Sequence, residues 1–201
     1  MNDAAFPSLI LSFEPARIFI FFQLLEQGFI VKGKVGCSVK EFLCGNMLIG
    51  QDYLDNRIQT IFLNGKPVDN VNSAIVKDAS TLSLSAAMPG LAGATMRRGG
   101  ALANMRSGIS YASAETGSDS YEGKVTIKIF NLISRELGPE FLNRGIIIKG
   151  KAFSGFFDTN RKVIEAGLFS AEMDGVKIEK EKFFDIKWED FEEILLKVVA
   201  K

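Results

Sequence analysis

Two regions of this chain carry clear apolar patterning, and one stretch between them carries none. That stretch, from Met88 to Ser120, divides the chain into a half before it and a half after it. Its first part, Met88-Pro-Gly-Leu-Ala-Gly-Ala-Thr-Met-Arg-Arg-Gly-Gly100, continues through Met105-Arg106 to Gly108. Glycines at 90, 93, 99, 100 and 108 permit positive φ and let a backbone approach a ligand closely. Arg97, Arg98 and Arg106 supply planar forks of donors suited to carboxylate or phosphate. Residues 101–120 are rich in Ala, Ser, Gly and acidic residues, as expected of a long mobile or functional loop. The expected organisation is therefore residues 1–100, a flexible linker at 101–120, and residues 121–201.

The halves read as α+β. Ser8 to Phe13 is an apolar strand, followed by a helix opened by Pro15 and closed by Gly28. Phe29 to Val35 alternates loosely as a half-exposed strand. Ser38-Val-Lys-Glu41 has the form of a capping box and starts a short helix. Arg57 to Leu63 is a strand ending in the Asn64-Gly65 turn, and Thr81 to Ser85 is another strand. In the second half, Lys124 to Phe130 alternates cleanly, Asn131 caps a helix, and Pro139 is expected to kink or split it. Gly145 closes that helix before the strand Ile146 to Ile148, and Ala152 to Phe157 reads as a helical turn. Asp174-Gly175 marks a hairpin between Leu168–Ala171 and Val176–Ile178. A final helix is expected from Asp185, with Trp188, Phe191, Leu195 and Val198 or Val199 on its apolar side. No repeat of residue identity links the halves.

In the first half, Ser38-Val-Lys-Glu-Phe-Leu43, Phe62-Leu-Asn-Gly-Lys-Pro-Val68 and Val76-Lys-Asp-Ala-Ser-Thr-Leu-Ser-Leu84 follow one another in a characteristic order. Strand, short capped helix, strand, Asn-Gly turn, strand and glycine-rich exit together resemble the ubiquitin-like β-grasp fold. Over residues 29–100 they more narrowly resemble the sulfur carriers of molybdopterin and thiamine synthesis. Ala79-Ser80 stands where those carriers have Gly-Asp. The resemblance implies a tail ending in Gly99-Gly100, whose terminal carboxylate would be adenylated and converted to a thiocarboxylate or an isopeptide donor. Here Gly100 is followed by further chain, so carrier chemistry requires cleavage after Gly100.

Composition narrows the chemistry. The chain has 201 residues, 47% of them apolar, enough for a packed core. Lys plus Arg and Asp plus Glu each count 24, so no basic excess marks a general nucleic-acid binder. Histidine is absent, which removes Ser-His-Asp and Cys-His nucleophiles and the commonest zinc ligand sets. An enzyme built on this chain would need Asp, Glu, Lys, Tyr or Cys as its acid or base. The two cysteines, Cys37 and Cys44, read as reduced thiols of a cytoplasmic protein. The N-terminus lacks a basic n-region and a small-residue cleavage site. The apolar run Ile18 to Phe22 is far too short for a membrane span.

These observations point to a binding protein with no cofactor or metal. Its site would comprise Gly90, Gly93, Met96, Arg97, Arg98, Gly99, Gly100 and Arg106. Met88, Leu91, Met96, Leu102 and Met105 interleave with the arginines, which a purely solvated linker would not need. The expected ligand is a partner protein or an anionic small molecule, and Arg97→Ala with Arg98→Ala should weaken binding without unfolding the chain. A processed carrier ending at Gly100 and an enzyme using carboxylate or lysine catalysis are the alternatives. Asp52, Asp55 and Asp69 match no Ca²⁺-loop spacing and read as turn residues. Glu189 to Glu193 reads as the wet face of a helix, and Phe153, Phe156 and Phe157 as core.

Overall fold

The computed structural model describes residues 6–106, 108–111 and 119–201. The N-terminal residues 1–5 and part of the expected linker, residues 107 and 112–118, lie outside them. The chain is a mixed α and β protein. Its elements in order are β1 (Ser8–Phe13), a 3-10 turn (Pro15–Phe21), α1 (Phe22–Gln27), β2 (Phe29–Val35) and β3 (Cys37–Ser38). Next come α2 (Val39–Glu41) with a π turn (Phe42–Asn46), α3 (Gln51–Asn56), β4 (Thr60–Leu63), β5 (Lys66–Pro67), β6 (Ile75–Val76) and β7 (Thr81–Ser85). α4 (Gly90–Met96) and a 3-10 turn (Ala103–Arg106) precede β8 (Tyr121–Phe130), α5 (Asn131–Arg144), β9 (Ile146–Lys149) and α6 (Gly150–Gly167). β10 (Leu168–Met173), β11 (Val176–Ile178), α7 (Lys180–Phe184), a 3-10 turn (Trp188–Asp190) and β12 (Glu193–Ala200) complete it.

Close contacts group the chain into two units, Met1–Phe29 with Arg135–Lys201 and Ile30–Ser134. The divisions expected near residues 100 and 120 both fall inside the second unit. In the first unit the strand order is β11-β10-β1-β12-β9. β1 runs parallel to β12 and antiparallel to β10, and β12 is antiparallel to β9. Rings fill the core: Phe13 meets Phe21 at 5.0 Å, Phe21 meets Phe156 at 5.3 Å, and Phe153 meets Trp188 at 5.0 Å. Phe153, Phe156 and Phe157 all point from α6 into this cluster and are buried.

The segment expected as a C-terminal helix is instead the strand β12. Ile194, Leu196 and Val198 are buried and alternate with less buried neighbours, the period of a strand. The spacing of Trp188, Phe191, Leu195 and Val198 fits a helix equally well by itself. A slot between β1 and β9 decides for the strand: Leu195 to Ala200 pair with β1, and Glu193 to Leu196 pair with β9. Pro139 does not split α5, which runs unbroken past it.

In the second unit the order is β2-β8-β7-β4-β5, beside a small β3-β6 pair. Its core is mainly aliphatic: Leu54, Ile61, Leu63, Leu82, Leu84, Ile127 and Ile129 are all buried, as is the ring of Phe42. The Ser38 capping box forms with both bonds: the Glu41 N–H donates to Ser38 Oγ (3.2 Å), and the Ser38 N–H donates to Glu41 Oε2 (2.8 Å). The Asn64-Gly65 turn joins β4 to β5 with φ of 51° and 77°, the left-handed pair that matches strand twist.

Candidate functional site

β7 and β8 lie side by side and parallel, Thr81 opposite Thr126 and Ser85 opposite Phe130. Parallel neighbours cannot be joined by a tight turn, so the chain must cross over from Ser85 back to Tyr121. Residues 86–120, which include the Gly/Arg segment, are that crossover. Topology therefore explains why a long connection exists here. The bonds within it show what its arginines do.

α4 begins after Pro89, which is extended, with Gly90 at φ 79°. Gly93 is buried against Met88, and a Cβ on it would lie 2.2 Å from the Met88 carbonyl oxygen. No other residue fits there, so this glycine serves packing within the segment. Met96 ends α4 and is half-buried. Gly99 takes φ 63° in the turn that follows, where the Gly100 N–H donates to the Arg97 carbonyl (3.2 Å) and the Ala103 N–H to that of Gly100 (3.0 Å).

Arg106 is the anchor. Its side chain is only 3% exposed. Nη1 and Nη2 grip Asp69 in bidentate fashion at 2.9 and 2.6 Å. Nε donates to the Thr95 carbonyl (2.5 Å), Nη1 also to Ser110 Oγ (2.6 Å), and Nη2 also to the Arg97 carbonyl (3.4 Å). Every N–H of the guanidinium thus has an acceptor. One side chain ties the end of α4, the turn at Ser110 and the stretch after β5 together. The Tyr111 N–H then donates to the Pro67 carbonyl (2.8 Å) on the edge strand β5.

Arg98 makes a second anchor. Its backbone N–H donates to the Gln59 carbonyl (2.8 Å), and Nη2 donates to the carbonyls of Leu54 (2.9 Å) and Asp55 (3.4 Å). Those carbonyls belong to the last turn of α3, where acceptors lack partners within the helix and a cation is favoured. Arg98→Ala would therefore strip a helix end as well as alter the segment. It is not the clean binding variant that its position beside Arg97 suggests.

Arg97 differs from both. It is exposed, and its guanidinium has no partner among the described residues. Its backbone is extended (φ −65°, ψ 130°), with its carbonyl held by Arg106 and Gly100. The same segment exposes Leu91 (70%), Met105 (72%) and Ile109 (54%). Four of the eight site residues expected from sequence divide by role. Gly93, Arg98 and Arg106 hold the segment, and Arg97 faces outward.

Asp69 and Ser110 lie outside the site expected from sequence, yet they complete the anchor. A signal was present: residues 88–111 hold three arginines and no acid, so a buried arginine there needs a carboxylate from elsewhere. The other turn aspartates are also engaged. Asp52 accepts from Asn56 Nδ2 (2.7 Å), and Asp55 lies 3.8 Å from Arg98. Among the described residues no group of three or more His, Cys, Asp or Glu is placed to hold a metal.

Cys37 and Cys44 are free and half-buried, and burial raises both thiols above the ordinary range. That favours the unreactive protonated form. Hydrogen bonds hold two carboxylates low: Glu41 through the Ser38 backbone and hydroxyl, Glu189 through its own backbone N–H and Ser154. Neither has the raised affinity for a proton that a general acid needs. Among the described residues no helix is long and apolar enough to cross a membrane. The chain matches no model of a known protein family, no curated protein and no solved structure.

Proposed function

We propose that this protein is a non-catalytic binding module that presents Arg97, on the stapled segment from Met88 to Gly108, to a partner protein or an anionic small ligand. One observation carries the reading: two of the three arginines are consumed in holding the segment, and the third is left with its fork unengaged. A guanidinium on a fixed backbone spares binding the cost of ordering the chain beneath it, and its planar fork suits a carboxylate or phosphate. Free, half-buried thiols fit a cytoplasmic setting for such a module.

The second unit supports a β-grasp-like reading of its fold. β2, the capped α2, β4, the Asn64-Gly65 turn, β5 and β7 occur in the order that suggested it. The same unit weighs against the processed carrier. β8 lies between β2 and β7, so cutting after Gly100 would sever the chain ahead of a central strand of this sheet.

Native mass spectrometry on protein purified from its own host tests the binding reading. The expected result is a chain carrying a bound molecule that Arg97→Ala loses while its unfolding midpoint is unchanged. A bare chain, or a bound molecule indifferent to Arg97→Ala, overturns it.

A further inference from the structure

Resting on the binding reading above, we infer that the segment docks a short peptide stretch of another protein, one that carries a carboxylate flanked by apolar side chains. Charge gives the first half of this ligand. From Met88 to Tyr111 there are three arginines and no acidic residue. Asp69 neutralises Arg106, and Asp55 lies beside Arg98. Arg97 therefore keeps a planar pair of donors whose natural complement is a carboxylate.

Apolar exposure gives the second half. Leu91, Met105 and Ile109 stand mostly in solvent on the same short segment, though each is large enough to pack. An inorganic anion has no use for them. A peptide with apolar side chains on either side of its acid covers them, and taking that surface out of water favours binding. Methionine adds adaptability, since its unbranched thioether fits surfaces of varied shape.

Rigidity makes the arrangement usable. The Arg97 carbonyl accepts from Gly100 and Arg106, and the next residue's N–H is fixed to Gln59. The backbone that carries the cation is thus already ordered, so binding has only side chains left to order. One unengaged arginine on this segment, in a chain of zero net charge, does not suit a nucleic-acid backbone, which needs many phosphate contacts.

The test is selection of a displayed library of random twelve-residue peptides on the intact protein, followed by affinity measurement of the enriched sequences. Enriched peptides are expected to share Asp or Glu flanked by Leu, Ile, Phe or Met. Their affinity should fall about tenfold or more in Arg97→Glu and in Leu91→Asp, and by less in Arg97→Lys, which keeps the charge but loses the fork. Unchanged thermal midpoints show that these exposed substitutions leave the fold intact. No enriched peptide, no acidic preference, or equal binding to Arg97→Glu overturns the inference. Inorganic phosphate and citrate, titrated in parallel, separate it from the reading beneath it. If either shifts the Gly99 and Gly100 amides through Arg97 while no peptide is selected, peptide docking falls and anion binding stands. If nothing binds at Arg97, both fall. Arg97- and Leu91-dependent sedimentation with phosphatidylglycerol vesicles, without peptide selection, overturns the inference in favour of a membrane surface.

Discussion

The two units use the same sheet grammar and secure it by opposite means. Each has a parallel pair in its sheet, β1 with β12 in one and β7 with β8 in the other. In the first unit, interlocking rings surround the core, and Phe153, Phe156, Phe157, Phe183 and Trp188 each touch more than one neighbour. In the second, the crossover joining the parallel pair is held by the donors of Arg106. Ring packing is less directional than a hydrogen bond, and its loss leaves a cavity that neighbours fill only in part. A guanidinium has fixed directions and offers no second way to make the same bonds. A surface that must present one side chain in one place gains more from the second device.

The largest effect separates the two devices most sharply. Phe153→Ala should destabilise the protein by about 3–5 kcal/mol, because it empties a ring-sized volume against Trp188. Urea unfolding measures this, and amide exchange at Ile109 to Tyr111 should not accelerate beyond the global loss. Asp69→Ala should come next, at about 2–3 kcal/mol. It strands a buried cation, tempered by the partial exposure of Asp69. Here exchange at Ile109, Ser110 and Tyr111 should rise far more than elsewhere. If both variants loosen the segment equally, the contrast between the devices is wrong.

Much of this fold is legible in the sequence where the cause is local. The capping box at Ser38 and Glu41, the Asn64-Gly65 turn and the Asp174-Gly175 hairpin each depend on residues within a few positions of one another. β12 is misread because its apolar spacing suits two periods, and the choice is made by β1 and β9, distant along the chain. The site is half legible for the same reason. Three arginines in a glycine-rich segment announce a place where charge matters. Which of them is already engaged depends on Asp69, far upstream of Arg106, and on the carbonyls of α3.

Smaller effects sharpen the comparison at its polar end. Ser38→Ala should cost about 1 kcal/mol, the usual worth of a lost N-cap. Glu41 is held below its ordinary range by bonds from the Ser38 backbone and hydroxyl. Its contribution is therefore present above the unfolded-state value and is lost as pH falls through the folded one. Glu41→Gln should flatten that part of the acid limb of a stability–pH curve, and an unaltered curve would remove the assignment. Arg97→Ala should be the quietest of all, within about 0.5 kcal/mol of the parent, since its side chain holds nothing in place.

The pairing of β1 with β12 has a consequence for biosynthesis. A ribosome releases Ser8 to Phe13 well before the parallel neighbour of this strand, Leu195 to Ala200. Until then Leu9, Leu11 and Phe13 belong to an apolar strand with an open edge, the kind that invites pairing with the wrong chain. The second unit, spanning Ile30–Ser134, contains both strands of its own parallel pair and can close while translation continues. Slowing elongation after residue 134 should therefore leave β1 exposed on the nascent chain while the arginine-bearing segment is already in place.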